Sequence, residues 1–154
     1  MKKIVIVTTV VLSFLLAFAP ASFSFGGKAK TLTPLKGSIE IPVSEVSDGV
    51  ARFYSVQADD GIVVSFFVVK SQDNVIRAAI NACDVCYRAG KGYKQKGDYM
   101  VCQNCGQRFP MDKINVLSGG CNPAPLARQI TGDRVVISMK DINENSWYAK
   151  YDRS

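Results

Sequence analysis

The sequence predicts a mainly β fold: a small antiparallel sheet joined to a cysteine-rich hairpin module, with little helix after an N-terminal apolar segment. Three observations predict it. Runs of β-branched and aromatic residues recur from residue 38 onward, as "SIEIPV", "ARFYSVQ", "IVVSFFVVK" and "VIRAAINA". Turn-forming residues separate these runs at short spacing, the pattern of hairpins. Two Cys-x-x-Cys pairs then flank a glycine-bearing segment that can double back on itself, a zinc-ribbon-like arrangement.

Each element follows in order. "MKKIVIVTTVVLSFLLAFAPASFSFGG" has a positive start at Lys2 and Lys3, an apolar run over residues 4–18 and a small-residue site at Ala19-Pro20-Ala21. These are the parts of a secretory signal. Residues 1–21 are therefore expected to be a signal peptide, or a membrane anchor if uncleaved, with membrane contact only through residues 4–19. Residues 22–36 are small, polar and basic and are expected to be a linker, leaving 37–154 as a single cysteine-rich domain.

Within that domain, "ADDG" reads as a tight turn between two strands and "SQDN" as the loop of a hairpin. Residues 62–70 are the strongest strand. Residues 75–82 alternate and deliver the chain to Cys83. Gly97-Asp98 turns a second hairpin whose return strand "YMVC" carries Cys102. "FPMDKINVL" holds at most one helical turn, "SGGCNPAPL" is a loop by composition, and residues 133–142 read as a late strand. "NENSWYAKY" reads as a short closing helix or tail, with Trp147, Tyr148 and Tyr151 anchoring it on the sheet.

Composition narrows the chemistry. The chain of 154 residues has no histidine, so it lacks the usual general base near neutral pH and the commonest nitrogen ligand for metals. A transition-metal site must be built mainly from cysteine. The net charge is +6, but the basic residues are scattered, so no nucleic-acid partner is expected.

The five cysteines follow the pattern C-x2-C-x15-C-x2-C, with Cys121 another fifteen residues on. A C-x2-C turn presents two sulfurs to one ion, and two such turns brought together by a hairpin close a tetrahedron. Cys83, Cys86, Cys102 and Cys105 are the expected metal ligands. Cys121, between Gly120 and Asn122-Pro123, is expected beside the centre, exchanging into it, or as a free thiol. Gly106 permits a positive φ that helps N–H groups point at the sulfurs. Arg88, Lys91, Lys94, Lys96 and Arg108 supply positive charge that would favour thiolates, and Tyr87, Tyr93 and Tyr99 flank the pairs. Asp84 sits inside the first pair as a turn residue. Iron in a cluster, a single Cys-ligated iron and zinc all satisfy the spacing. Disulfides are the alternative outside the cytoplasm, though within C-x2-C pairs they close loops too small to stabilise much.

"CDVCYRAGKGYKQKGDYMVCQNCGQRF" followed by "GGCNPAPL" resembles a bacterial family of membrane iron–sulfur-containing, FtrD-like proteins, and "FFVVKSQDNVIRAAINAC" is similar to that family's lead-in. Many members have Asp two residues before the first Cys, where this chain has Asn81. The resemblance implies an iron–sulfur or metal centre on the outer side of the membrane, held by Cys83, Cys86, Cys102, Cys105 and Cys121. It also implies electron transfer or iron handling beside iron-uptake membrane components or redox partners. The expectation is an exported, periplasmic electron carrier or binding protein rather than an enzyme. The competing readings are a binding or assembly module folded around structural zinc, and a thiol–disulfide redox protein.

Overall fold

Ten strands and one short α-helix follow one another along residues 29–150, the part of the chain that the computed structural model describes. The expected leader over residues 1–21, the first part of the expected linker and Tyr151 lie outside them. The strands are β1 (Lys30–Thr31), β2 (Ser38–Pro42), β3 (Arg52–Gln57), β4 (Val63–Lys70), β5 (Ile76–Ile80), β6 (Tyr93–Lys96), β7 (Tyr99–Cys102), β8 (Arg108–Pro110), β9 (Gln129–Thr131) and β10 (Arg134–Ser138). The helix α1 (Met139–Glu144) follows, and single 3-10 turns fill several connections. Strand accounts for 40% and helix, 3-10 turns included, for 16% of the described residues, so the fold is mainly β as expected. No helix among the described residues is long and apolar enough to cross a membrane.

The strands form three sheets, ordered β1-β3-β4-β5, β2-β10-β9 and β6-β7-β8. The first is the central layer. Side chains alternate across a strand, and β4 uses both faces. Val64, Phe66 and Val68 join one core with Ile39, Ile41, Val135 and Ile137 of the second sheet. Phe67 and Val69 join another with Tyr93, Met100 and Cys102 of the third. Phe66 and Phe67 are both fully buried although adjacent, which is why this run reads as continuously apolar. The third sheet, which carries Cys102 on β7 and Cys105 in the turn to β8, is thus packed on the central layer.

The hairpin turns fall where the sequence places them. Asn74 takes a positive φ of 64° in the β4–β5 turn, and Gly97 one of 56° in the β6–β7 turn. "FPMDKINVL" holds one 3-10 turn, Met111–Lys113.

Two expectations need correction, and two short strands had no sequence reading. The stretch read as linker is not all linker: Lys30 and Thr31 pair in parallel with Tyr54 and Ser55 of β3, and Leu32 packs on the first core. Strands β8 and β9, each of three residues, are too short to show alternation. The late strand does not run to residue 142 but stops at Ser138. There the Ser138 hydroxyl accepts the Lys140 N–H at 3.1 Å, an N-cap that starts α1 and buries Met139 and Ile142 on one face. The acidic pair Asp59-Asp60 also reaches beyond its turn. Asp60 accepts the Ser146 hydroxyl at 2.8 Å and Asp59 accepts the Asn143 amide at 2.7 Å, fixing the closing segment against the sheet.

The β4–β5 turn generates a prediction. Asp73 accepts from the Ser71 hydroxyl at 2.6 Å and from Arg77 Nη2 at 2.7 Å. The Ser71 bond first, then the Val75 N–H and Arg77, hold its carboxyl below the usual range. A carboxyl depressed in the folded state contributes stability above its unfolded pKa, and that contribution fades as pH falls through the folded value. Asp73→Asn is expected to melt at a lower temperature than the parent at pH 7. The gap between the two should close as melts are repeated toward pH 2; a gap independent of pH would overturn the assignment.

Candidate metal centre

The first cysteine pair starts where β5 ends. Cys83 is buried, and the Cys86 N–H donates to its Sγ at 3.2 Å. The Tyr87 N–H donates to the Cys83 carbonyl at 3.1 Å, closing the turn. The second pair begins on the last residue of β7, where Cys102 lies opposite Tyr93. The N–H groups of Asn104 and Cys105 point at Cys102 Sγ, and that of Gln107 points at Cys105 Sγ. Gly106 has φ 77° and its N–H meets the Cys102 carbonyl at 2.9 Å, the role that its lack of a Cβ suggests.

Cys121 arrives by a third route. The loop "CNPAPL" lies along the edge of β5: Ala124 donates to the Ala82 carbonyl at 3.0 Å and accepts the Ile80 N–H at 2.9 Å. Asn115 completes the edge by bonding both the N–H and the carbonyl of Ala78. Pro123 and Pro125 have no N–H to donate, which prevents a regular strand while permitting this partial pairing.

The five sulfurs converge. Sγ atoms of Cys83, Cys86 and Cys102 all lie within 4.8 Å of one another, and so do those of Cys86, Cys105 and Cys121. Cys86 belongs to both triads. Cys105 Sγ and Cys121 Sγ are 3.9 Å apart. A tetrahedral thiolate site with zinc–sulfur bonds near 2.3 Å has sulfurs about 3.8 Å apart. The donors present therefore fit a thiolate-bound metal.

The surroundings hold these turns in place. Tyr93 is buried, and its hydroxyl donates to the Cys121 carbonyl at 2.6 Å. Asn81, which stands where the resembled family often has Asp, accepts the Tyr93 N–H at 2.7 Å and donates to Ser65 Oγ at 3.3 Å. Its partners are a peptide N–H and a hydroxyl, both suited to a neutral amide. Gly92 packs so closely that a Cβ there would stand 2.5 Å from the Asn81 amide. Asp84 accepts the Tyr148 hydroxyl, tying the first pair to the closing segment. Trp147 stacks on Tyr148 with ring centres 3.7 Å apart, and Tyr87 meets both rings edge-on. A recess of about 50 Å³ lined by Cys83, Cys86, Cys102, Tyr93 and Tyr148 has room for an ion and little more.

Against known proteins, a family model described as "Membrane iron-sulfur containing protein FtrD-like" matches residues 46–148, about two thirds of the chain. The chain belongs to the FtrD-like family. A search of curated proteins finds no match. Among solved structures, the quaternary ammonium Rieske monooxygenase CntA, crystallised with an inhibitor, aligns with 73% of this chain at 15% identity and a TM-score of 0.44. The chain spans about a third of that enzyme's length, 32%, and no shared chemistry follows from a likeness at this level.

In this FtrD-like chain the thiols are not equivalent. The Gln107 N–H lowers the pKa of Cys105, the exposed member. Burial raises Cys102 to about 11 against the pull of the Cys105 and Asn104 N–H groups. The Asn104 side chain, 3.4 Å from Cys86 Sγ, works to lower the Cys86 pKa, but burial and the neighbouring thiols leave it raised. Burial, then Cys105, raises Cys121. The donors that favour thiolates here are peptide and amide N–H groups. Of the basic residues expected to do so, Arg108 lies over the Tyr99 ring at 4.4 Å, and Arg88 Nε donates to the Tyr87 hydroxyl at 3.2 Å. Sequence reasoning missed Asn104, read Tyr148 only as an anchor of the closing segment, and met Asn81 only as a departure from the resembled family's pattern. Asn104 had a signal, since a residue between two ligands of one turn can reach the other turn.

Two predictions follow from this geometry. In reduced, metal-free protein, Cys105 is expected to be alkylated first and Cys102 and Cys83 last, read by mass mapping of iodoacetamide-treated peptides over time. Equal rates at all five thiols would contradict the burial and N–H pattern. Gly92→Ala places a side chain at φ 62° against Asn81, and is expected to destabilise the fold by about 1–3 kcal/mol in urea unfolding. Gly132→Ala, where the same left-handed strain meets no neighbour, should cost less.

Proposed function

We propose that this chain is an exported iron protein of the outer face of the cytoplasmic membrane, passing electrons or handling iron during uptake. The observation that carries the reading is the meeting of five thiols from three separate backbone segments in a chain of an iron–sulfur family. An iron–sulfur cluster or Cys-ligated iron supplies one-electron chemistry when bound. The protein's part is to hold and tune it. Cys83 and Cys102 present their sulfurs from the buried side, where water is excluded. The Cys86 N–H donates to Cys83 Sγ, and the N–H groups of residues 104, 105 and 107 point at sulfur and favour its negative charge. Tyr93 closes the wall between the third sheet and the Cys121 loop. Cys105 stands at the surface and gives a partner a short path to the centre. The partners proposed are iron-uptake membrane components or redox proteins, and residues 1–21 supply export or anchorage.

The test is protein purified from iron-replete cells without added metal. Iron at or above one atom per chain is expected, with visible absorption that bleaches on reduction and returns on reoxidation. Cys83→Ser and Cys102→Ser should each lose most of the bound iron. Colourless protein containing zinc instead would overturn the electron-transfer reading and favour a folding role for the site.

A further inference from the structure

A single tetrahedral ion needs four thiolates, and this site brings together five. The five fall into two triads, and Cys102 of one also meets Cys105 of the other. Cys83, Cys86 and Cys102 form an inner triad that lines the recess, with Cys83 and Cys102 buried. Cys86, Cys105 and Cys121 form an outer triad that includes the exposed Cys105. Cys86 is common to both, and the Asn104 amide, 3.4 Å from its sulfur, fixes it from the opposite turn. Cys121 is not a loose fifth thiol. Its carbonyl is held by Tyr93, its loop is paired with Ile80 and Ala82, and its sulfur stands 3.9 Å from Cys105.

We propose that the five cysteines form a two-ion centre: an inner position held by Cys83, Cys86 and Cys102, and an outer one held by Cys86, Cys105 and Cys121, with the Cys86 thiolate shared. The proposal rests on reading this site as a metal centre and specifies its stoichiometry. Charge supports it. Four thiolates around one divalent ion carry a formal charge of about −2 and leave the fifth thiol without an ion; five thiolates around two ions carry about −1, which costs less in a partly buried site. Three protein sulfurs would hold each ion. Cys83, Cys86 and Cys102 line the recess, whereas Cys105 is exposed, which makes the outer position the one through which an ion would enter or leave.

The experiment uses the full chain in detergent, reduced and metal-free under anaerobic conditions, titrated with Co(II). Sulfur-to-cobalt absorption and native mass spectrometry count the ions bound. Saturation at two ions is expected, with the cobalt paramagnetic signal falling as the second binds, because a shared thiolate couples the two spins. A chelator should remove one ion distinctly faster than the other. Cys121→Ser and Cys105→Ser, checked for the parent's far-UV spectrum and melting, should each saturate at one. Saturation of the parent at one ion overturns the proposal and leaves the metal-centre reading standing; failure to bind any ion overturns both. Two ions in Cys121→Ser overturns the assignment of the outer position. Should that variant fail to fold, the parent's stoichiometry and spin coupling decide the question.

Discussion

The backbone pairing between the end of β5 and the loop that follows Cys121 is the contact on which the site depends. Two hydrogen bonds, Ala124 to the Ala82 carbonyl and Ile80 to the Ala124 carbonyl, lay a proline-containing loop along the exposed edge of the central sheet. The edge would otherwise present unpaired N–H and C=O groups. Covering it places Cys121 beside the turns of the two Cys-x-x-Cys pairs. The same edge positions Cys83, because β5 runs directly into the first pair. One strand edge therefore sets the relative position of sulfurs that are far apart in sequence.

That edge is itself held by β4. Its two fully buried phenylalanines face opposite cores, so it can neither slide nor turn over without exposing one of them. The third sheet packs on one face through Tyr93, Met100 and Phe109, and the second packs on the other. The cysteine turns hang from the rim of this stack. A site built on sheet rims is more exactly placed than one built on long loops, which suits thiols that must meet within a few tenths of an ångström.

Peptide and amide dipoles are aimed at the sulfurs of the site. Peptide N–H groups of the second pair converge on Cys102 and Cys105, and the Asn104 amide reaches Cys86. Such donors carry no net charge into a partly buried space and leave the balance of charge to what the sulfurs bind. The neutral Asn81 fits the same scheme. It ties β6 to the central sheet without adding a negative charge near five potential thiolates.

Residue order alone determined the mainly β character, strands β2, β3, β4, β5, β7 and the start of β10, and the turns at "ADDG", "SQDN" and Gly97-Asp98, because alternation, turn chemistry and glycine at left-handed positions are local properties. It also determined which side chains bear the chemistry, since a chain without histidine and with paired cysteines has few other means of holding a transition metal. Only the tertiary structure decided how those cysteines are grouped. The register of Cys121 against Cys105, the sharing of Cys86 between two triads, and the work of Asn81, Asn104 and Tyr148 all arise from segments distant in sequence. Their meeting depends on how three sheets stack and which edge a loop covers. The same holds for the short strands β1, β8 and β9 and for the end of β10 at Ser138: each is set by a partner across space or a single cap, and neither leaves a periodic signal in the chain.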